Sequence, residues 1–279
     1  MKVSGCMIVL SCAKWLPHTI AGIAPFMDEI IIVHGATQEM VDLGIAKPSG
    51  DSTDDTGAVL ERLAKKYGNI KIIPPKIYKH RNEQRNEYLK HATGDWIWVV
   101  DHDEFYHPED ILAVKEQMEE PRKVCIATKW IEFYTWTRRY KKAGPPMERI
   151  FRRSEGMYYH DKNSGQSCFM DNGQSVWKLA WGMKDNSTCY HYNRTLDPDE
   201  LTVKLLYYAT RDEGLNPSQL IAQRHERPSF KKTTEGTYVP LMEQPPAARG
   251  LMYTGIAPIS GLLSKIDEES LGMDWQDQI

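Results

Sequence analysis

The sequence predicts an α/β fold built on a parallel, doubly wound sheet, and three observations carry that expectation. Short apolar runs rich in β-branched residues alternate with polar, helix-patterned segments. One run, Trp96 to Val100, is unbroken by any polar residue, as expected of a strand buried on both faces. Directly after it stand Asp101, His102, Asp103 and Glu104, and in open α/β sheets ligands bind at the carboxyl ends of the strands.

The elements follow in order. Val3 to Leu10 reads as the first strand, and Pro17 to Met27 as a short helix with proline near its first turn. Glu29 to Val33 is a second buried strand, and His34 to Gly50 a long mixed connection. Asp51-Ser52-Thr53-Asp54-Asp55-Thr56 opens a helix to about Tyr67, in which Leu60, Leu63, Ala64 and Tyr67 recur at helical spacing. Ile70 to Ile73 is a third strand, closed by Pro74-Pro75, and Arg81 to Ala92 is a polar helix that feeds the central run. Beyond Tyr106 the pattern changes. Pro108 to Met118 is helical, while Val124 to Tyr134 and Glu148 to Arg153 are strands joined by the basic turn Arg138 to Lys142. Met157 to Asn186 is rich in loops and Cys189 to Tyr192 is a short strand. Asp197-Pro198-Asp199-Glu200 starts a helix to about Glu213. The expected organisation is one domain over residues 1–224, with 225–279 as a wrapping tail or a lid packed on it.

Bulk properties exclude several classes. With 279 residues, 41% hydrophobic and 26% charged, the chain reads as an ordinary globular protein. A net charge of −3 leaves no overall basic footprint for nucleic acid. Five scattered cysteines form no C-x-x-C pair, so neither a zinc site nor a disulfide framework is indicated, and a reducing, cytoplasmic setting is the simplest expectation. No apolar run is long enough for a membrane span, and the apolar N-terminus serves better as a first strand than as a signal peptide. The 8 Trp and 14 Tyr suit sugar-stacking surfaces, although large cores use aromatics too.

The acidic cluster is the centre of the chemistry. Three carboxylates at one strand end repel one another unless something positive sits among them, and a hard divalent cation with phosphate oxygens answers that need. The plainer alternative is an acidic turn leading into the helix at Pro108.

Four pieces in sequence order resemble the family 2 glycosyltransferases of the GT-A fold: Asp51 to Thr56 after strand two, Arg85-Asn86 with Leu89, Ala92 and Gly94-Asp95-Trp96 before strand four, Asp101 to Glu104 after it, and His191-Tyr192 downstream. The resemblance covers about residues 1–215 and implies a mostly parallel sheet flanked by helices, a nucleotide-diphosphate sugar as donor, Mn²⁺ or Mg²⁺, and a carbohydrate or other hydroxyl acceptor. It implies Asp101 and Asp103 as metal-diphosphate residues with His191 as third ligand, the alternative for His191 being a structural histidine. Arg85 is implied as a phosphate or nucleobase contact, against a solvated helix face that better suits Arg81. Asp51, Ser52, Thr53 and Asp54 are implied for nucleobase and ribose, with plain helix capping as the alternative. Members of this pattern carry an R-[IL]-F-R piece followed by a His-acid pair. Arg149-Ile150-Phe151-Arg152 and His160-Asp161 match it, making Asp161 the first choice of catalytic base for an inverting transfer, with Glu148 or Asp171 in reserve. The chain departs from the pattern after strand two, where His34-Gly35 stands in place of the usual aspartate. Two other readings are weighed: a metal phosphohydrolase built on His91, His102, Asp103 and His107, and a non-catalytic carbohydrate-binding protein.

Overall fold

The computed structural model describes residues 1–133, 139–140, 147–160, 168–176, 187–191, 230–232 and 238–240. In chain order the elements are β1 (Val3–Val9), α1 (Leu16–Ile23), a 3-10 turn (Ala24–Phe26), β2 (Glu29–Thr37), α2 (Gln38–Asp42), α3 (Thr56–Tyr67), β3 (Ile70–Tyr78), α4 (Arg81–His91), β4 (Trp96–Val99), β5 (Glu104–Phe105) and α5 (Pro108–Met118). They continue with β6 (Cys125–Phe133), β7 (Arg139–Tyr140), β8 (Met147–Arg152), β9 (Tyr158–Tyr159), β10 (Cys168–Phe169) and β11 (Thr188–His191). The last two, β12 (Phe230–Lys232) and β13 (Tyr238–Pro240), pair antiparallel with each other. The predicted helix from Asp197 and most of 225–279 lie outside the described residues.

Among the described residues a nine-stranded sheet runs in the order β3-β2-β1-β4-β8-β6-β11-β5, with β7 added on β6. The first four strands are parallel, β8 is antiparallel to both β4 and β6, and β11 is parallel to β6 and antiparallel to β5. The sheet thus has a mostly parallel half carrying the first strand ends, joined to a mixed half.

Alternation along the parallel strands builds two cores. Met7, Val9, Ile30, Ile32, Trp96 and Trp98 face α1, α3 and α5, where they meet Leu16, Ile20, Leu60, Leu63, Ile111 and Val114. Cys6, Ile31, Val33, Ile97 and Val99 face the other way, against Tyr88 of α4 and Tyr159 of β9. Both faces of a strand are therefore dry, which is why β2 and β4 read as continuous apolar runs. Each large side chain so buried contributes roughly 1.5–3 kcal/mol. The five cysteines are all buried free thiols, and burial pushes those of Cys6 and Cys189 well above the ordinary range, so they act as core residues.

Two features differ from expectation. The third strand does not close at Pro74-Pro75 but continues to Tyr78. β3 is the sheet edge, where a missing N–H costs no ladder bond, and the prolines fall at the register shift between the Val33 and Gly35 pairings. The connection expected from His34 instead begins as strand: β2 runs on to Thr37, with His34, Ala36 and Thr37 buried, and α2 follows. Gly35 permits this, because its φ is +149° and a Cβ there would lie 2.5 Å from the Lys76 carbonyl oxygen.

The stretch before β4 has a similar logic. Gly94 donates its N–H to Ser4 Oγ at 2.8 Å, and a Cβ at Gly94 would lie 2.6 Å from that oxygen. Asp95 accepts the Lys2 N–H at 2.7 Å. Gly-Asp-Trp thus locks β4 against the start of β1 and sets where the strand must end.

Candidate active site at the strand ends

β4 stops at Val99, and the Val100 N–H still reaches the Cys6 carbonyl of β1 at 3.0 Å. The chain then turns: Glu104 N–H donates to the Asp101 carbonyl at 3.1 Å, and Asp101 N–H to Glu104 Oε2 at 3.2 Å. Glu104 starts β5, which pairs with β11 so that His191 lies opposite Glu104. That pairing brings a histidine from far along the chain to the acidic turn. His191 Nε2 is 3.6 Å from Asp103 Oδ1, and the two residues are 7% and 2% exposed.

A residue that sequence reasoning had not assigned to the site completes the cluster. Arg149, 3% exposed on β8, donates from Nη2 to Asp101 Oδ2 at 2.7 Å, and from the same nitrogen to Glu104 Oε1. Glu104 is fully buried, and burial, with the nearby Asp101 and Asp103 charges, pushes its carboxyl up against the pull of Arg149. For Asp101 burial also acts upward, but Arg149, together with Arg85 and His102, more than offsets it and holds the carboxyl well below the usual range. The Asp101 side chain keeps 26% of its surface exposed, and its Oδ1 accepts no hydrogen bond among the described residues. The only sequence signal for Arg149 was the R-I-F-R piece, which does not say where the guanidinium points.

Beside this charged cluster, the loop after β1 is tied to the Asp51–Thr56 segment. Ser11 N–H donates to Ser52 Oγ at 2.9 Å, Cys12 N–H to Thr56 Oγ1 at 2.8 Å and Ala13 N–H to Asp54 Oδ2 at 3.0 Å. Asp54 Oδ1 also accepts from the Thr56 N–H at 3.0 Å, so the helix opens at Thr56 rather than at Asp51. His34, 2% exposed, sets its Nε2 2.7 Å from Ser52 Oγ and 3.3 Å from Asp51 Oδ1. The excursion through α2 therefore returns Asp51 and Ser52 to the end of β2, against the histidine that stands in the aspartate position. Burial pushes the Cys12 thiol far up, with Asp54 and Asp103 adding to it.

The polar helix α4 is explained by what its buried polar groups hold. Gln84 donates to the Gly35 carbonyl at 2.7 Å, and Asn82 to the His160 carbonyl at 2.7 Å. Asn86 both donates to the Tyr159 carbonyl at 2.9 Å and accepts its N–H at 2.7 Å, a side-chain imitation of a strand ladder. Arg85 is 5% exposed, bonded to Asn82 Oδ1 at 2.9 Å and set over the Tyr159 ring. It is not on a solvated face.

The predicted site residues divide accordingly. Asp101, Asp103 and His191 come together at the β4–β5–β11 junction, and Arg85 is close enough to act on Asp101. Asp51, Ser52 and Asp54 gather on the neighbouring loop, where Ser52 and Asp54 are occupied in loop bonds and Asp51 remains 34% exposed. Asp161 lies outside the described residues; its predecessor His160 is anchored by Asn82 in the first turn of α4. Among the reserves, Glu148 is half-buried on β8 and Asp171 is exposed beside Gly156. Among the described residues no group of three His, Cys, Asp or Glu side chains is arranged to hold a metal ion. The hydrolase cluster does not assemble: His91 ends α4, where it meets Lys71 and Glu87, and His107 packs on Tyr190. No helix among the described residues is long and apolar enough to cross a membrane.

Comparison with known proteins bears on this arrangement. Residues 49–172 match the model of glycosyl transferase family 2. The match takes in the Asp51–Thr56 loop, α4, the acidic turn and Arg149, but not His191. A TPR repeat-containing protein of Synechococcus elongatus is 24% identical over 185 residues, which is 64% of this chain; the chain spans only 40% of the length of that relative. S. aureus TarS 1-349 is similar in structure, with a TM-score of 0.45 and 16% identity, over 84% of this chain and 76% of that one. The mannosyltransferase PcManGT of Pyrobaculum calidifontis, in complex with GDP-Man and Mn²⁺, has a TM-score of 0.46 and 13% identity, over 75% and 61% of the two chains.

Proposed function

We propose that the protein is a glycosyltransferase that moves a sugar from a nucleoside-diphosphate sugar to an acceptor hydroxyl, with inversion and with the help of Mn²⁺ or Mg²⁺. One observation carries the reading: a buried carboxylate–imidazole pair, Asp103 and His191, faces the carboxyl end of β4 beside the partly exposed Asp101, next to a family 2 segment. Oxygen and imidazole donors of this kind suit Mn²⁺. Asp103 and His191 would hold the cation, with Asp101 completing the set once a ligand is present. When bound, the metal supplies charge neutralisation for the departing diphosphate.

The chain's own residues do the rest. Arg85, whose charge helps to hold the Asp101 carboxyl down, adds positive charge to the site. Asp51, through its partly exposed carboxylate, serves nucleobase recognition, while Ser52 and Asp54 hold the loop that presents it. Asp161 takes the acceptor proton as general base, at the end of a segment pinned to α4 by Asn82 and Asn86. Buried free thiols suit a reducing, cytoplasmic setting.

The test is a panel of UDP-, GDP- and dTDP-sugars with Mn²⁺, read by thermal shift and then by turnover with and without candidate acceptors. Sugar transfer with release of the nucleoside diphosphate that needs an acceptor and stops in EDTA is the expected result. Phosphate release without acceptor would favour a hydrolase, and sugar binding indifferent to the diphosphate would favour a non-catalytic module.

A further inference from the structure

The acidic turn poses an electrostatic question that the fold answers from an unexpected direction. Asp101, Asp103 and Glu104 crowd one strand end, yet a cation already stands among them: Arg149, delivered by the antiparallel strand β8, whose Ile150 pairs with Trp98 of β4. Two carboxylates share one guanidinium nitrogen, that of Glu104 fully buried and that of Asp101 26% exposed. Asp101 thereby commits Oδ2 to the protein, while Oδ1 accepts no hydrogen bond among the described residues and the side chain stays 26% exposed. A buried charge costs several times what a surface charge does unless it is paired, so such a triad persists only where its members are mutually compensated.

We propose that Arg149 is a positioning residue of the donor site: anchored by Glu104, its guanidinium fixes the Asp101 carboxylate so that one oxygen is presented to the bound donor. The assignment rests on the functional reading above only for which ligand Asp101 meets. Arg149 touches no substrate in this scheme. It acts through Asp101, and it keeps the strand end from carrying three uncompensated negative charges, which would disfavour the approach of a diphosphate.

The experiment uses the full chain, with Arg149→Lys as the first variant. Lysine keeps the charge on a shorter, flexible stem and lacks the planar fork, so it replaces Arg149 only in part. We expect Arg149→Lys to melt close to wild type and to raise the KM for the best sugar nucleotide of the UDP, GDP and dTDP panel by about tenfold, leaving the acceptor KM unchanged. Adding Asp101→Asn should then cost less than it does in wild type, because both changes remove one arrangement. Wild-type kinetics in Arg149→Lys, an equal rise in both KM values, or fully multiplicative effects would overturn the assignment. Should Arg149→Lys fail to fold, the double variant Arg149→Met with Glu104→Gln removes the buried charge together with its partner, and a wild-type donor KM there overturns it. If wild type turns over no donor at all, the functional reading fails by itself. The clamp is then judged by melting: Asp101→Asn should lower the melting temperature of wild type but not of the Met/Gln double variant, and equal shifts in both backgrounds would overturn it.

Discussion

Two loop clusters share the carboxyl edge of this sheet, and they are held together by different physics. At the ends of β1 and β2 the bonds run mostly from backbone N–H groups to short polar side chains: Ser11 to Ser52, Cys12 to Thr56, Ala13 to Asp54. At the end of β4 the contacts join ionisable side chains: Arg149 to Asp101 and Glu104, with His191 against Asp103. Between them lies α1, whose Thr19 hydroxyl donates to the His102 carbonyl. The first cluster is a set of modest, separable contacts. The second is a network in which one lost member leaves a buried charge exposed to the others, so its members are expected to fail together.

The largest expected effect lies in the charged cluster. Asp103→Ala should lower transfer by about 10²–10³-fold, as loss of one group stabilising developing charge does elsewhere, in a chain that still folds, with EDTA reproducing the loss in wild type. Full activity in the variant or in EDTA would show that the Asp103–His191 pair is structural and that the two clusters differ less than their bonding implies.

Next, Arg149→Met should cost about 3–5 kcal/mol in urea denaturation, the usual result of orphaning buried charge. Adding Glu104→Gln should recover a large part of that loss. A single variant that unfolds like wild type would remove the distinction between network and separable contacts.

The third expectation concerns acid. Burial lowers the His18 pKa on α1 from 6.5 to about 4. Between those values the unfolded chain binds the extra proton, so this contribution is present above pH 6.5 and lost as the pH falls toward 4. It amounts to about 3 kcal/mol at most. His34, lowered by burial against the pull of Asp51 and Asp54, works in the same direction. His18→Gln should flatten the stability curve over this range, and an unchanged slope would place the acid sensitivity elsewhere.

The smallest effects belong to the first cluster. Thr56→Val removes the acceptor of the buried Cys12 N–H and should cost about 1–3 kcal/mol without altering the effect of Arg149→Met. Departure from additivity between the two sites would mean that the β1 loop transmits strain from one cluster to the other.

Much of this was legible in the chain. Trp96 to Val100 reads as a doubly buried strand because both faces of β4 are covered, and the residue after it is at the strand end whatever the remaining topology. The Asp-Ser-Thr-Asp-Asp-Thr loop announces both a helix start and a polar site, and it serves at least the first. Periodicity and capping are local, so a local reading finds them. Pro74-Pro75 misled for the complementary reason: proline ends a central strand but not an edge strand, and edge position is a property of the sheet. The length of β2 beyond Val33 likewise depended on Gly35 meeting Lys76 across the ladder.

The sequence by itself determined the α/β class, the central strand, the acidic turn and the candidacy of Asp101, Asp103 and His191, because each is written in runs or motifs within a few residues. Only the tertiary structure decided which groups share charge. The antiparallel pairing of β8 with β4 delivers Arg149 to Asp101 and Glu104, and the pairing of β11 with β5 delivers His191 to Asp103. Asn82 and Asn86 look like ordinary polar residues on a polar helix until β9 lies along them. Such partners are far apart in the chain, and the energy that joins them depends on distance and burial, which exist only once the sheet has formed.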